Sequence, residues 1–421
     1  MTTGFPERLQ QDHAASAGQL PSSVVEAGQR MRALQRLAEL GLPSLREEGW
    51  RYADLRALQT AVLAPAGHAA EARDAAALLP PALEGIARLV FVDGRFAPSL
   101  SSDPATLRGM RLQATAGGFP EPTADERFAW LNDVFATDVA RIDAEGDGQV
   151  EIVFVSCSPA AGCHPRIELR LAPGSRMTLV ERHAGGHATT LVNSATKLAL
   201  GRDSTLEHLR LHDSSTDTLF LDSLLANVGA GARYILTQLQ LGAASARSAL
   251  RIDLDGEGAA LDLYGMSVTD GRRVHDTTIQ VTHRARATRS EQLLRAIAKD
   301  RSGTSFASRV DVAATAGGAD SRQSLKGLLG GPGAEVNLRP QLEISTDEVK
   351  ASHGATTGAI DENMLFYLLS RGIDPSTARQ LLEWAFLEDV LSHIRLPALR
   401  RQIELSTLGH LGNTAAEEAL R

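Results

Sequence analysis

His353 stands in the run Ser352-His353-Gly354-Ala355-Thr356-Thr357-Gly358, where no neighbour is bulkier than threonine. So little steric cover lets a partner come close to the imidazole, which is a competent iron ligand. By residue type alone the ordinary loop-histidine reading is the preferred one. His275 and His283 lie in RRVHDTTIQVTH. If that run is a regular strand, alternation puts His275, Ile279, Val281 and His283 on one face. Two imidazoles there are expected to hydrogen-bond inside a stack or to sit at its corners. Cys157 and Cys163 are separated by five residues, with His164 beside the second. A metal reading needs thiolates at one point, and C-x5-C-H is not a zinc-site spacing. Both cysteines read as small residues of a reduced protein.

Other chemistries lack their signatures. No G-x-x-x-x-G-K-[ST] loop is present, so ATP hydrolysis is not expected in this chain. Gly229-Ala230-Gly231-Ala232 lacks the third glycine and the strand–helix order of a dinucleotide site. There is no G-x-S-x-G nucleophile elbow, and no carboxylate pair is marked out for glycoside cleavage.

The elements that must position these residues fall into three regions: 1–148, mainly helical; 149–354, a β core; and 355–421, helical again. In the first, Ser22 and Ser23 are expected to cap a helix carrying Ala27, Met31, Leu34 and Ala38, stopped by Gly41 and Pro43. Ala61 to Pro81 reads as loop. Leu89 to Phe96 reads as two short strands around an Asp93-Gly94 turn. In the middle region a degenerate motif begins at Gly174, Asp203, Gly231 and Gly258, at spacings of 29, 28 and 27 residues, with a late copy at Gly333. A turn residue, a small residue and alternating apolar positions at near-constant spacing are what stacked strand–turn coils need. One coil cannot bury its apolar face, but a stack can. The reading is a β-solenoid, with a β-sandwich of regular hairpins as the alternative. In the last region Asp361 caps a helix ending at Gly372. Asp374-Pro375 starts another, whose wide apolar surface calls for burial on neighbours or a partner.

Bulk composition narrows the function classes. Lys plus Arg is 43 against 51 Asp plus Glu, a net charge of −8, so neither nucleic acid nor an anionic membrane is expected as a partner. Aromatic content of 4% argues against extensive stacking platforms for sugars or bases. Two cysteines and an N-terminal MTTGFPERLQQDH without an apolar stretch point to a cytoplasmic location.

The run Asp347 to Gly358, with Phe366 to Ile373 after it, closely resembles the C-terminal signature of the SufB/SufD family, in its SufD-like S-H-G-A-T-x-G form. Glu48-Gly49-Trp50-Arg51-Tyr52, Phe91 to Phe96 and Leu131-Asn132-Asp133-Val134-Phe135 extend the resemblance over all three regions. It implies a right-handed parallel β-helix flanked by helical N- and C-terminal regions. It further implies a non-catalytic scaffold subunit of the SUF iron–sulfur cluster assembly complex. The partners implied are a SufB-like subunit, paired through the β-helix ends, and a SufC-like ABC ATPase gripping the C-terminal helices. Self-association is implied when the SufB-like partner is missing. His353 matches the position implicated as a ligand of iron or of a transient cluster at the subunit interface. Reduced flavin would belong to the assembled complex, and no cofactor is implied to be tightly held by this chain alone. Two departures stand out. Ala351 replaces a cysteine common among relatives, and residues 311–332 lack their Gln-rich run. Two other functions fit a β-helix: a secreted-type polysaccharide-active enzyme, opposed by the N-terminus and the few aromatics, and a metal-free structural homodimer.

Overall fold

The computed structural model describes residues 4–67, 72–107, 109–112, 119–159, 161–185 and 190–412. Two parallel sheets face each other and form a β-solenoid. The first sheet is built, in order, from Arg95–Phe96, Ala87–Val92, Asp147–Ser156, Arg176–Gly185, Thr205–Ser214, Arg233–Gln240, Ala260–Thr269, Arg289–Ala298, Ala319–Leu329 and Val349–Gly358. The second runs from Met110–Leu112 and Ala140–Ala144 through Arg166–Leu171, Leu191–Leu200, Leu219–Val228, Ser245–Leu254, Val274–His283 and Gly303–Val312 to Glu335–Ile344. Within the stack, Thr205 lies over Arg176, Arg233 over Thr205 and Ala260 over Arg233. The sandwich of hairpins is thereby excluded, because these strands pair in parallel.

Successive coils turn a similar corner one or two residues before the first-sheet strand. Gly174, Asp203, Gly231, Gly258, Ala287 and Gly318 all take positive φ there, the conformation glycine adopts without steric penalty. The motif read at four of these positions is this corner. The copy at Gly333 differs: it precedes Glu335–Ile344, a strand of the second sheet. The strand layers also extend beyond 149–354 on both sides. Ala87–Val92 pairs in parallel with Asp147–Ser156, and the last strand continues to Gly358. Asp93 and Gly94, both at positive φ, close the Ala87–Val92/Arg95–Phe96 hairpin.

Alternate side chains fill the space between the sheets. Leu179, Leu206, Tyr234 and Leu261 from the first sheet meet Leu198, Leu224, Leu250 and Ile279 from the second in one continuous core. The outer faces are covered too. Helix α4 (Arg127–Phe135) packs on the second sheet, with Trp50, Phe128 and Leu131 against Leu191, Leu219 and Leu221; α2 (Ala27–Leu40) packs on α4, and α1 (Phe5–Ser16) on α2. Helix α2 starts at Ala27 with Glu26 at its N-cap, not at Ser22 or Ser23; Met31 is exposed and the buried side is Ala33, Leu34 and Leu37. The stretch read as loop contains a short helix, α3 (Ala72–Leu78). At the other end come α5 (Glu362–Ser370), α6 (Pro375–Leu391) and α7 (Pro397–Leu411). Leu387, Val390, Leu391 and Ile403 cover Val180, Leu209, Leu239 and Met266 on the first sheet. Asp361 and Asp374 cap α5 and α6 as their sequence suggests. No helix among the described residues is long and apolar enough to cross a membrane.

The two ends of the solenoid differ. The early end finishes in short antiparallel strands, Arg95–Phe96 and Met110–Leu112. The late end finishes in two ten-residue strands, each paired on one side only.

Candidate functional site

His353 lies on the last strand of the first sheet, Val349–Gly358, which is exposed from Lys350 onward. Its register partner is Gln323, which in turn lies over Gln292. Both glutamines are buried and meet across the interior at Ser308: Gln323 Nε2 donates to the Ser308 carbonyl at 3.0 Å, and the Ser308 hydroxyl donates to Gln292 Oε1. His353 therefore belongs to an inward-facing column. No further coil covers that column at this end, so the imidazole is exposed. Ala351, two residues before it, shares its face. With alanine there, no thiolate from this strand can join the imidazole. One nitrogen does not hold an iron ion, so the remaining donors must come from outside the chain.

The two edges at this end are not equivalent. Glu335–Ile344 carries Pro340 in its middle, and Arg339 Nη1 ties it to Glu48 Oε1 at 3.1 Å. Arg309 and Glu343 pair beside it at 2.6 Å. Proline and charge blunt a strand edge. Val349–Gly358 has neither proline nor bulge, and Lys350 is its one charged residue. An exposed strand with half its backbone groups facing no neighbour is a template for an added chain.

A second open surface lies nearby on α5. Met364, Phe366 and Tyr367 are 59%, 71% and 57% exposed, while Leu365 alone turns into the protein. Leu381 on α6 adds to it. Apolar side chains gathered in this way mark an interaction surface.

The other candidate residues are structural. His275 is buried: its Nδ1 is 3.0 Å from Ser267 Oγ, and burial lowers its pKa to about 3. His283 lies 2.8 Å from both Thr288 Oγ1 and Ser290 Oγ, lowered to about 4, again by burial. His164 donates from Nε2 to the Leu63 carbonyl at 2.7 Å. Cys163 Sγ sits 3.6 Å from Asp93 Oδ1; burial first, then that carboxylate, drives its pKa upward. Cys157 is pushed up to about 11 for the same reasons. Thiols held protonated in this way are poor metal ligands.

The other resemblance segments are joints. Trp50 stacks edge-on to Phe128, with Arg247 over its ring at 4.2 Å. Asn132 donates to the Pro165 and Asn193 carbonyls at 2.8 Å each, and Asp133 pairs with Arg166 at 2.6 Å, clamping α4 to the second sheet. The segment around His353 and the Phe366–Ile373 segment after it are, by contrast, largely exposed.

Sequence reasoning passed over one group altogether: Glu181, His183, His208, Arg210, His212 and Asp222, buried inside the solenoid. The signal was there, since His183 and His212 are one coil apart and stack in register.

Comparison with known proteins agrees with this architecture. Residues 154–386 match the SufBD core domain of the SUF system for FeS cluster assembly. The chain is 30% identical over 396 residues to the iron–sulfur cluster assembly protein SufD of Escherichia coli, covering 89% of this chain and 90% of that one. It is 28% identical to an iron–sulfur cluster assembly SufBD family protein of Synechocystis, over 89% and 88% of the two chains. A SufBD family protein of Mycobacterium bovis is 25% identical over 72% of this chain and 77% of its own. By fold, by domain match and by similarity along nearly its whole length, the chain belongs to the SufBD family of SUF iron–sulfur cluster assembly proteins, as a SufD-type member.

Proposed function

We propose that this chain is a non-catalytic scaffold subunit on which nascent iron–sulfur clusters are built and passed on. Its open first-sheet edge receives a SufB-like subunit, and the exposed faces of α5 and α6 receive a SufC-like ATPase. Iron or a nascent cluster is the cargo, held between His353 and donors from the partner. One observation carries this reading: an exposed imidazole on an unblunted terminal strand, with no second strong ligand beside it on that strand. A single ligand at a docking edge is half a site. The absence of a phosphate-binding loop from the sequence fits a division of labour in which the ATPase supplies the motion.

The test is co-expression with SufB-like and SufC-like proteins, comparing wild type with His353→Ala. The His353 side chain makes no hydrogen bond to a described residue, so the substitution should leave folding unchanged within about 0.5 kcal/mol. The three-component complex should form as before, while its iron and sulfide content falls at least about tenfold. Unchanged iron and sulfide would remove His353 from the site. Failure of the wild-type chain to enter such a complex would refute the scaffold reading.

A further inference from the structure

On the coils containing Arg176–Gly185 and Thr205–Ser214, ionisable groups replace part of the apolar filling. Arg210 is fully buried. Its Nε and Nη2 donate to Glu181 Oε2 and Oε1 at 2.9 and 2.8 Å, and its Nη1 and Nη2 donate to Asp222 Oδ2 and Oδ1 at 2.9 and 2.8 Å. Two carboxylates against one guanidinium leave a formal charge of −1 where no solvent enters. His183 Nε2 and His208 Nε2 sit 2.7 and 3.1 Å from the two oxygens of Glu181. Burial, the largest influence on His208 and His212, favours neutral imidazoles at both.

His212 lies over His183 in the ladder, and Phe220 closes against both rings from the second sheet, at 4.3 and 5.1 Å. Among the described residues, neither nitrogen of His212 has a hydrogen-bond partner, nor does Nδ1 of His183. Buried ring nitrogens rarely go unpaired, and here three belong to two neighbouring rings beside Glu181. One donor atom each from Glu181, His183 and His212 fall within 4.8 Å of one another.

We propose that Glu181, His183 and His212 bind one divalent first-row transition-metal ion of the Fe2+, Co2+ or Zn2+ kind, at a site inside the solenoid separate from His353. Two imidazoles and a carboxylate match the donor preference of such ions, whereas Ca2+ and Mg2+ call for oxygen. The ion takes one lone pair from each imidazole and one from Glu181. Arg210 is shared between Asp222 and Glu181, so one carboxylate charge of the pair is left over to meet the ion. Donors around an ion at about 2.0–2.1 Å stand roughly 3.3 Å apart, so the triad has to contract. His212 can turn to achieve this because its ring has no hydrogen bond to lose. The three side chains are at most 2% exposed, so loading accompanies folding or a local opening of the coils.

The test reads metal, not cluster assembly, so its failure is distinct from failure of the scaffold reading. Untagged full-length protein carrying His353→Ala is incubated with Co2+, both natively and during refolding from urea, then desalted. The expected result is one equivalent of cobalt, visible d–d bands, a raised thermal midpoint and X-ray absorption showing two imidazoles without sulfur. His183→Gln and His212→Gln should each weaken binding about tenfold or more, while His275→Gln should not. No cobalt retained by the parent protein, one or no imidazole in its absorption spectrum, or equal binding by the two variants would overturn the proposal. The first two readouts stand even if a variant fails to fold.

Discussion

Replacing Arg210 by methionine keeps much of the side-chain volume and removes only the charge. The cation is wholly buried and satisfies both Glu181 and Asp222, with a fifth contact to Gln238 at 3.2 Å. Breaking a buried ion pair from one side costs about 3–5 kcal/mol, because the bereaved charge stays in a poor medium. Here two carboxylates are bereaved, so the upper part of that range applies near neutral pH. The pH dependence separates this from a packing defect. In the wild type Glu181 is held well below its ordinary 4.5: burial opposes the shift, but Arg210 and the flanking imidazoles outweigh it. Its contribution is therefore complete above 4.5 and is lost only as pH falls towards the depressed native value. In Arg210→Met burial acts unopposed by that cation and raises the folded-state pKa. The penalty is then fully present above the raised value and relieved as pH falls through it. Urea unfolding followed by circular dichroism should show a loss of about 3–5 kcal/mol near pH 7.5, smaller by roughly 1 kcal/mol or more near pH 5.5. A loss under about 1 kcal/mol, or one that grows on acidification, would refute the charge accounting of the core.

The cysteines should be nearly inert in the folded protein. With its thiol pushed up to about 11, Cys157 should alkylate about two orders of magnitude more slowly than a free thiol near pH 8. Cys163 should label only after denaturation, and mass spectrometry of native protein showing rapid Cys163 labelling would contradict its placement. Phe366→Ser, at a side chain 71% exposed, should change stability by less than about 0.5 kcal/mol yet weaken binding of a SufC-like ATPase tenfold or more. Calorimetry giving unchanged affinity would move that interface off α5.

The solenoid was legible because corner geometry leaves a mark in the sequence. Gly174, Asp203, Gly231 and Gly258 are residue types that tolerate positive φ, and they recur once per coil. The next corner falls on Ala287, which carries no such mark; the one after it, Gly318, was passed over although it is a glycine, and the late copy at Gly333 lies on the opposite sheet. The internal charged cluster was hidden for a different reason. Alternation says which residues share a face but not which face is inside. On Thr205–Ser214, α6 and α7 cover the outer side, so Leu209 and Leu211 point outward while His208, Arg210 and His212 point in. A reader who takes apolar for inside gets this strand backwards. His353 was noticed for its setting of small residues but became a candidate ligand only through the resemblance of its segment to the SufD-like signature. Its status as a lone donor at an uncovered coil required the topology.

The unlike ends of the solenoid limit how far copies can accumulate. Stacked parallel coils have the ingredients of a fibre, since any free rim can template the next subunit indefinitely. Here the early rim is closed off by two- and three-residue antiparallel strands, and one of the two late rims is interrupted by Pro340. A chain that can be joined at one end only makes pairs, and a pair joined rim to rim leaves no rim for a third.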